Sequence, residues 1–168
     1  MQFEAAAVSA AASIERVHAS AVSLAAAIKR VAAGRIAIAE TLDLPSDLFS
    51  ELRKLPNVVI GRSKQELATC DVGVTEAFAG VARTGSVCVA VDHDYSGTIS
   101  LLARMHIAVL SAERITERPG DLFDRHFLNG KAMQRNFVFI TGPSATADMG
   151  PLVRGVHGPH QLHIIILE

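Results

Sequence analysis

The sequence predicts a single α/β domain built on a mostly parallel β-sheet. Hydrophobic residues make up 49% of the 168 residues, but aromatic residues make up only 5% and tryptophan is absent. A core of this composition must be filled by Ala, Val, Ile and Leu, which is typical of buried parallel sheets flanked by helices. Short apolar runs also alternate with stretches of helical periodicity along the chain. A chain of this length buries one substantial core, so we expect one domain over residues 1–168.

The first 34 residues predict an Ala-rich helical segment ahead of the sheet. Its apolar residues recur at steps of three and four over residues 5–33, which indicates one helix, bent or split in two. Gly34 is predicted to end it. The small side chains permit close packing, either on the sheet or at an interface between copies of the chain.

The rest of the chain reads as alternating strands and helices. Pro45 precedes Ser46, which is the predicted N-cap of the first helix in this part, and Ser63 and Glu66 have the spacing of a capping box. A Gly-containing turn at residues 83–86 predicts a hairpin within residues 77–91. The remaining strands are predicted at residues 35–39, 58–60, 71–75, 106–110, 137–141 and 163–167, and the helices at 47–55, 98–103 and 121–134, with a polar loop at 92–97.

Composition argues against several functional classes. The chain carries 16 Lys and Arg against 17 Asp and Glu, scattered along its length, which does not favour nucleic-acid binding. Cys70 and Cys88 form no Cys-x-x-Cys pair, so these thiols alone cannot build an iron–sulfur cluster or a structural zinc site. No dinucleotide-binding fingerprint follows a predicted strand, and we predict no cofactor. We also predict no signal peptide and no membrane span, and we expect a cytoplasmic location.

Two loops rich in Gly, Pro, Ser and Thr lie beside apolar strands near the end of the chain. In the first, Gly142 allows close backbone approach, and the hydroxyls of Thr141, Ser144 and Thr146 can bind an anion such as a carboxylate or phosphate. The carboxyl ends of parallel strands, where open sheets bind ligands, are the expected location. Alternatively, the hydroxyls only cap a helical turn, and Asp148 bonds a neighbouring loop.

These loops carry the resemblance to a known family. Residues 141–148 read Thr-Gly-Pro-Ser-Ala-Thr-Ala-Asp and residues 155–159 read Gly-Val-His-Gly-Pro. Together with the weaker segments 71–75, 82–86 and 106–109, they occur in the order and approximate spacing of the lactate utilisation protein C family, or LUD domain. The resemblance covers residues 61–168, the expected family-like core.

The resemblance implies a fold and a biological setting. The expected fold is a three-layer αβα arrangement, similar to glucosamine-phosphate isomerase, ribose-phosphate isomerase and CoA-transferases. The implied role is accessory, in the oxidation of L-lactate to pyruvate together with iron–sulfur partner proteins, with no redox centre in this chain. The alternative is a stand-alone, isomerase-like enzyme on a small phosphorylated or carboxylated substrate, which rests on fold analogy. Whether the chain is an enzyme stays open.

The turn at Arg83, Thr84, Gly85 and Ser86 departs from the family pattern. Similar proteins carry Glu in place of Arg83, and a glutamate in this neighbourhood is the nucleophile of fold-related CoA-transferases. Arg83 cannot act as a nucleophile. Its guanidinium can instead form a bidentate pair with a carboxylate or phosphate, at a turn that resembles a phosphate-binding turn. The alternative is a plain hairpin turn with a solvated arginine.

Asp148 and His157 are the candidate catalytic residues. If the strands beside their loops are neighbours, the two side chains face one crevice and form an acid–base or orienting pair, with Gly158 beside the ligand. Alternatively, they only pin the two loops together.

The remaining histidines receive structural interpretations. His157, His160 and His163 recur every three residues, a spacing that an extended strand places on opposite faces, so we predict no metal site. His106 opens a buried strand and is predicted to be a satisfied core histidine.

Overall fold

A computed structural model describes residues 2–60, 63–91, 95–123, 136–148 and 150–168. Its helices are α1 (Gln2–Ser9), α2 (Ala21–Val31), α3 (Ser50–Arg53), α4 (Lys64–Leu67) and α5 (Ser96–Leu102). The strands are β1 (Ser13–Val17), β2 (Ile36–Ile38), β3 (Val58–Ile60), β4 (Val72–Ala77), β5 (Ala79–Val81), β6 (Ser86–Ala90), β7 (Met105–Ser111), β8 (Ile115–Thr116), β9 (Phe137–Ile140), β10 (Ala145–Thr146), β11 (Val153–Arg154) and β12 (Gln161–Leu167). Short 3₁₀ turns lie at Ser46–Phe49, Ala112–Arg114 and Pro119–Phe123.

The predicted α/β class is confirmed, because the main sheet has six parallel strands in the order β1-β12-β7-β4-β2-β3. Successive residues of β12 point to opposite faces, as the period of a strand requires. Ile165 packs in a cluster with Leu24 and Ile28 of α2, whereas Ile164 and Ile166 belong to the cluster on the α1 face. Helices thus cover both faces of the sheet, which gives three layers.

A second sheet lies against the α1 side of the molecule. Its order is β8-β5-β6-β9, and β5 and β6 form the predicted hairpin, joined at the turn 83–86. The strand predicted at 137–141 is β9, which pairs antiparallel with β6. Its Val138 and Phe139 are each 38% exposed, so β9 is not the buried core strand that its apolar residues predict.

The helical segment predicted over residues 5–33 is split in two, as α1 and α2, but a continuous helix is wrong because the strand β1 lies between them. Ser13–Val17 pairs in parallel with β12 at the edge of the main sheet. Before it, α1 ends in a turn where Ala11 has a φ of 68°. After it, the Ser20 side chain accepts a hydrogen bond from the N–H of Ser23 and caps α2. The helical spacing of apolar residues is therefore overridden by strand pairing.

The other local predictions are mostly confirmed. Ser63 caps α4 by accepting from the N–H of Glu66. Ser46 is not an N-cap, because the N–H of Leu48 bonds to the carbonyl of Pro45 and closes a 3₁₀ turn there. The helix predicted at 121–134 begins as the 3₁₀ turn Pro119–Phe123, and its remainder, like residues 92–94 of the predicted polar loop, lies outside the described residues.

Candidate functional site

The two loops predicted to bind a ligand lie side by side and are joined through Ser144. The Ser144 N–H donates to the Pro159 carbonyl at 3.0 Å, and its own carbonyl accepts from the Gly155 N–H at 2.9 Å. The Ser144 hydroxyl also accepts from the N–H of His157 at 3.3 Å. Between these contacts, β10 and β11 pair antiparallel. The interaction that pins the loops is thus made by the backbone and one serine.

The third predicted segment, the turn at 83–86, meets the same region through a chain of hydroxyls. The Thr84 hydroxyl lies 2.7 Å from that of Ser86, which lies 2.6 Å from that of Thr141. Arg83 and Thr84 are exposed, whereas Ser86 is buried. The chain of three hydroxyls therefore connects the hairpin turn to the first glycine-rich loop.

Two glycines of these turns pack against α1 and the residue just after it. Gly85 has a φ of 66°, and a Cβ there would lie 2.1 Å from the backbone nitrogen of Ala7. Gly142 has a φ of 69°, and its Cβ would lie 2.0 Å from the carbonyl oxygen of Ala10. The close backbone approach predicted for Gly142 thus exists, but the approaching group is the protein's own chain.

A cavity of about 380 Å³, which we call the loop pocket, lies where the two loops meet the main sheet. Of the predicted site residues, Thr141, Gly142, Ser144, His157 and Gly158 line it. Its floor includes the second residues of β7 and β12, so it lies at the amino ends of these strands. Its other lining residues are Ser100, Leu101, His106, Val138, Phe139, Ile140, Pro143, Ala145, Pro159 and Leu162.

The expected location at the carboxyl ends of the parallel strands is therefore wrong. That expectation followed from reading residues 137–141 as a strand of the main sheet, whereas β9 belongs to the antiparallel sheet. The loop that follows β9 therefore lies at the amino ends of the strands of the main sheet.

The other six predicted site residues lie outside the lining of this pocket: Arg83, Thr84, Gly85 and Ser86 of the hairpin turn, and Thr146 and Asp148 of the first loop. Asp148 is exposed, and its N–H donates to the Thr146 hydroxyl at 3.4 Å. Thr146 pairs with Val153 in the β10–β11 ribbon. Of the predicted catalytic pair, only His157 thus lines the loop pocket.

His106, interpreted from the sequence as a satisfied core residue, has an unsatisfied nitrogen. Its side chain is fully buried and lines the loop pocket. Nε2 lies 2.8 Å from the hydroxyl of Thr75, but Nδ1 has no hydrogen-bond partner among the described residues. A buried polar atom without a partner is costly, and a ligand that supplies one regains that free energy. Sequence reasoning missed this residue because an isolated histidine in an apolar strand looks like core.

Burial lowers the pKa of His106 to about 4 from an ordinary value of 6.5, so we expect the protein to lose stability in mild acid. Between about pH 6.5 and pH 4, this histidine is protonated in the unfolded chain but neutral in the folded chain. The stability is therefore present above the unfolded pKa and lost as the pH falls, by roughly 3 kcal/mol across this window. Urea unfolding at several pH values measures it.

The matched variant for this prediction is His106→Gln, which removes the titrating group. Its unfolding free energy should fall less steeply between about pH 6.5 and 4 than that of the unchanged chain. Burial also lowers the pKa of His163, which contributes in the same direction to both proteins. Parallel pH curves for the two proteins would show that His106 is not held neutral.

The described residues show no metal site and no membrane span. They contain no group of three or more His, Cys, Asp or Glu side chains placed to hold a metal ion. None of the described helices combines the length and apolar character needed to cross a bilayer. Cys70 and Cys88 are both buried as free thiols.

Comparisons with known proteins identify relatives of this chain. Lactate utilization protein C of Oceanobacillus iheyensis is 33% identical over 115 residues, covering 65% of this chain and 49% of that protein. The protein of the same name from Bacillus subtilis is 32% identical, covering 58% and 42%. Lactate utilization protein B of Bacillus pumilus is 23% identical over 133 residues, covering 77% and 25%. The chain thus spans about half the length, or less, of these relatives.

A solved structure shares the fold over nearly the whole chain. The crystal structure of a DUF162 family protein from Deinococcus radiodurans matches with a TM-score of 0.71 and 21% identity, covering 99% of this chain and 94% of that one. The sequence model of the LUD domain matches residues 14–167, from β1 to β12. This chain therefore belongs to the LUD domain family.

Proposed function

We propose that this chain is a component of L-lactate utilisation that binds a small anionic ligand in the loop pocket. The names of its relatives support the biological setting. The observation that carries the ligand proposal is His106, a fully buried histidine whose Nδ1 bonds to no described residue, in a pocket lined by the family's most specific segments. A volume of about 380 Å³ lies in the range of small-molecule sites.

The chemistry of the lining suits a small hydroxy acid or keto acid. Thr141 and Ser144 supply hydroxyl donors and His157 an imidazole, and no Asp or Glu lines the pocket among the described residues. His106 is held neutral by its low pKa, so its free Nδ1 either donates to a carboxylate or accepts from a hydroxyl. L-Lactate offers both of these groups.

We assign proton transfer to His157, the member of the predicted pair that lines the loop pocket, and leave Asp148, exposed outside that lining, without a catalytic role. Arg83 and Thr84 lie exposed at the far end of the hydroxyl chain, where the guanidinium can attract an anion. Redox chemistry is assigned to iron–sulfur partner proteins. Cytoplasmic location follows from this setting and belongs to the same proposal.

A thermal-shift titration with L-lactate, pyruvate, inorganic phosphate and CoA tests the ligand. A compound present at 100 times its Kd should add roughly 2.7 kcal/mol of apparent stability. We expect L-lactate or pyruvate to do so, and His157→Ala to abolish the shift. The matched control is His18→Ala, which removes an exposed histidine that follows β1 and should leave the shift unchanged.

The outcomes separate the candidate functions. No shift with any of these compounds, or an equal shift in His157→Ala, would overturn the ligand proposal. Turnover of a phosphorylated or carboxylated substrate by the isolated chain would favour an independent enzyme. Co-purification with iron–sulfur proteins from a lactate-grown cell would support the accessory role, and its failure would remove it.

A further inference from the structure

We propose that the amino ends of β1 and β12 form a second binding site, for a small oxyanion with two negative charges. The site is a groove of about 340 Å³, which we call the edge groove, lined by Ala11, Ala12, Ser13, Arg154, His160, Gln161 and Leu162. It adjoins the loop pocket, because Leu162 lines both cavities and Arg154 pairs with that pocket's Ala145 across the β10–β11 ribbon. The proposal does not depend on a ligand in the loop pocket.

The groove has an uncompensated positive character. Arg154 and His160 both line it, and no Asp or Glu does among the described residues. Neither side chain has an ion pair or hydrogen bond to a described residue, whereas Arg16, Arg30 and Arg35 each lie beside a glutamate. Two basic groups that converge without a carboxylate partner are the arrangement expected where the counter-charge comes from a ligand.

Backbone packing holds both basic residues in place. The N–H of His160 donates to the Arg104 carbonyl at 2.8 Å. A Cβ at Gly155 would lie 2.4 Å from the ring of His160, so the absence of a side chain there lets the imidazole pack against the backbone. Arg154, the residue before Gly155, is anchored by its pairing in the ribbon. The backbones of Arg154 and His160 are therefore both held in place next to Gly155.

The neighbouring polar groups complete the recognition of an oxyanion. Gln161 contributes a side-chain amide and Ser13 a hydroxyl at the groove wall. The Ser13 hydroxyl is held 2.7 Å from Nδ1 of the buried His163. A guanidinium fork, an imidazole N–H and an amide match a phosphate group or a pair of carboxylates, which share the same charge and acceptor chemistry.

Calorimetric titration with inorganic phosphate and, separately, with malonate tests this site and distinguishes the two sources of charge. We expect saturable binding of at least one probe. Arg154→Ala should weaken that binding about ten-fold, and His160→Gln should weaken it about three- to ten-fold. Arg53→Ala is the matched control, because it removes an arginine whose guanidinium bonds to the Ser46 carbonyl far from the groove.

Three outcomes would overturn the proposal. They are no saturable binding of either probe, full binding in the Arg154→Ala, His160→Gln double variant, or an equal loss in Arg53→Ala. His157→Ala keeps the edge groove intact, so it should still bind the probe. Loss of L-lactate binding in that variant with phosphate or malonate binding retained separates the two sites.

Discussion

Replacing Gly142 with alanine is expected to lower the free energy of unfolding by about 2–6 kcal/mol. The residue has a φ of 69°, which strains any residue with a Cβ by about 1–3 kcal/mol. The new methyl group would also lie 2.0 Å from the Ala10 carbonyl oxygen, and relieving such an overlap typically costs a further 1–3 kcal/mol or so. Denaturant unfolding monitored by circular dichroism measures the sum.

Two other glycines separate the backbone effect from the packing effect. Gly150 has a φ of 125° with no atom of the described chain within 4 Å of a built Cβ, so Gly150→Ala should show only the backbone cost, about 1–3 kcal/mol. Gly120 has neither a positive φ nor a described neighbour within 4 Å of a built Cβ, so Gly120→Ala should change stability by less than about 0.5 kcal/mol. An equal loss of unfolding free energy in Gly142→Ala and Gly150→Ala would mean that the backbone after α1 moves away from the new methyl group at no cost.

Glu76→Ala is the second large effect, with an expected loss of about 2–4 kcal/mol. Glu76 is only 8% exposed, at the carboxyl end of β4. Its carboxylate accepts from three consecutive backbone N–H groups, of Leu42 at 2.5 Å, Asp43 at 3.1 Å and Leu44 at 2.9 Å. The alanine variant leaves these donors without their shared acceptor, so the segment after β2 loses its attachment to the sheet.

Two further variants, Glu76→Gln and Glu40→Gln, test whether the loss of stability comes from the carboxylate of Glu76. The first keeps one oxygen acceptor but sets an amide N–H₂ against backbone donors, so we expect about half the loss of Glu76→Ala. Glu40 is exposed and lines a small cavity together with Glu76 and Leu42, and Glu40→Gln should change stability by less than about 0.5 kcal/mol. Amide hydrogen exchange of residues 42–44 provides a local measurement. Unchanged exchange in Glu76→Ala would contradict the role assigned to the carboxylate.

Burial raises the pKa of Glu76, while the three backbone donors oppose that rise. The donors explain how a carboxylate is tolerated here, since each bond favours the charged form. The sequence contained a signal for this residue, because Glu76 is the one acid within the wholly buried strand β4. A charged side chain in such a strand needs partners, and those partners come from a distant segment that local pattern does not reveal.

Strands whose burial is decided by their own residues could be predicted. The runs that became β2, β3, β7 and β12 are rich in β-branched residues and pair at the centre or along the edge of the main sheet. By contrast, β1 contains Ser13, Glu15 and Arg16, and all its residues are partly or fully exposed. Only its pairing with β12 makes it a strand, and that partner is remote in sequence.

The candidate site shows the same division. The loops at 141–148 and 155–159 could be predicted to lie together, because their residue types and family pattern point to one region. That they meet at the amino ends of the parallel strands could not be predicted, because this position depends on β9 joining the second sheet. Nor could the free nitrogen of His106 be predicted, since only the packed structure shows that Thr75 bonds to one ring nitrogen and that no other described residue bonds to the second.

The pairing of β1 with β12 also constrains how the chain folds as it is synthesised. Ser13 and His163 are 150 residues apart, so β1 has no partner until nearly the whole domain has left the ribosome. At translation rates of about 5–20 residues per second, the wait lasts roughly 8 to 30 s. During that time the central strands can assemble from nearer contacts, whereas β1 must remain solvated. Its polar, half-exposed sequence is suited to this delay, because an unpaired strand with an apolar face would be open to aggregation.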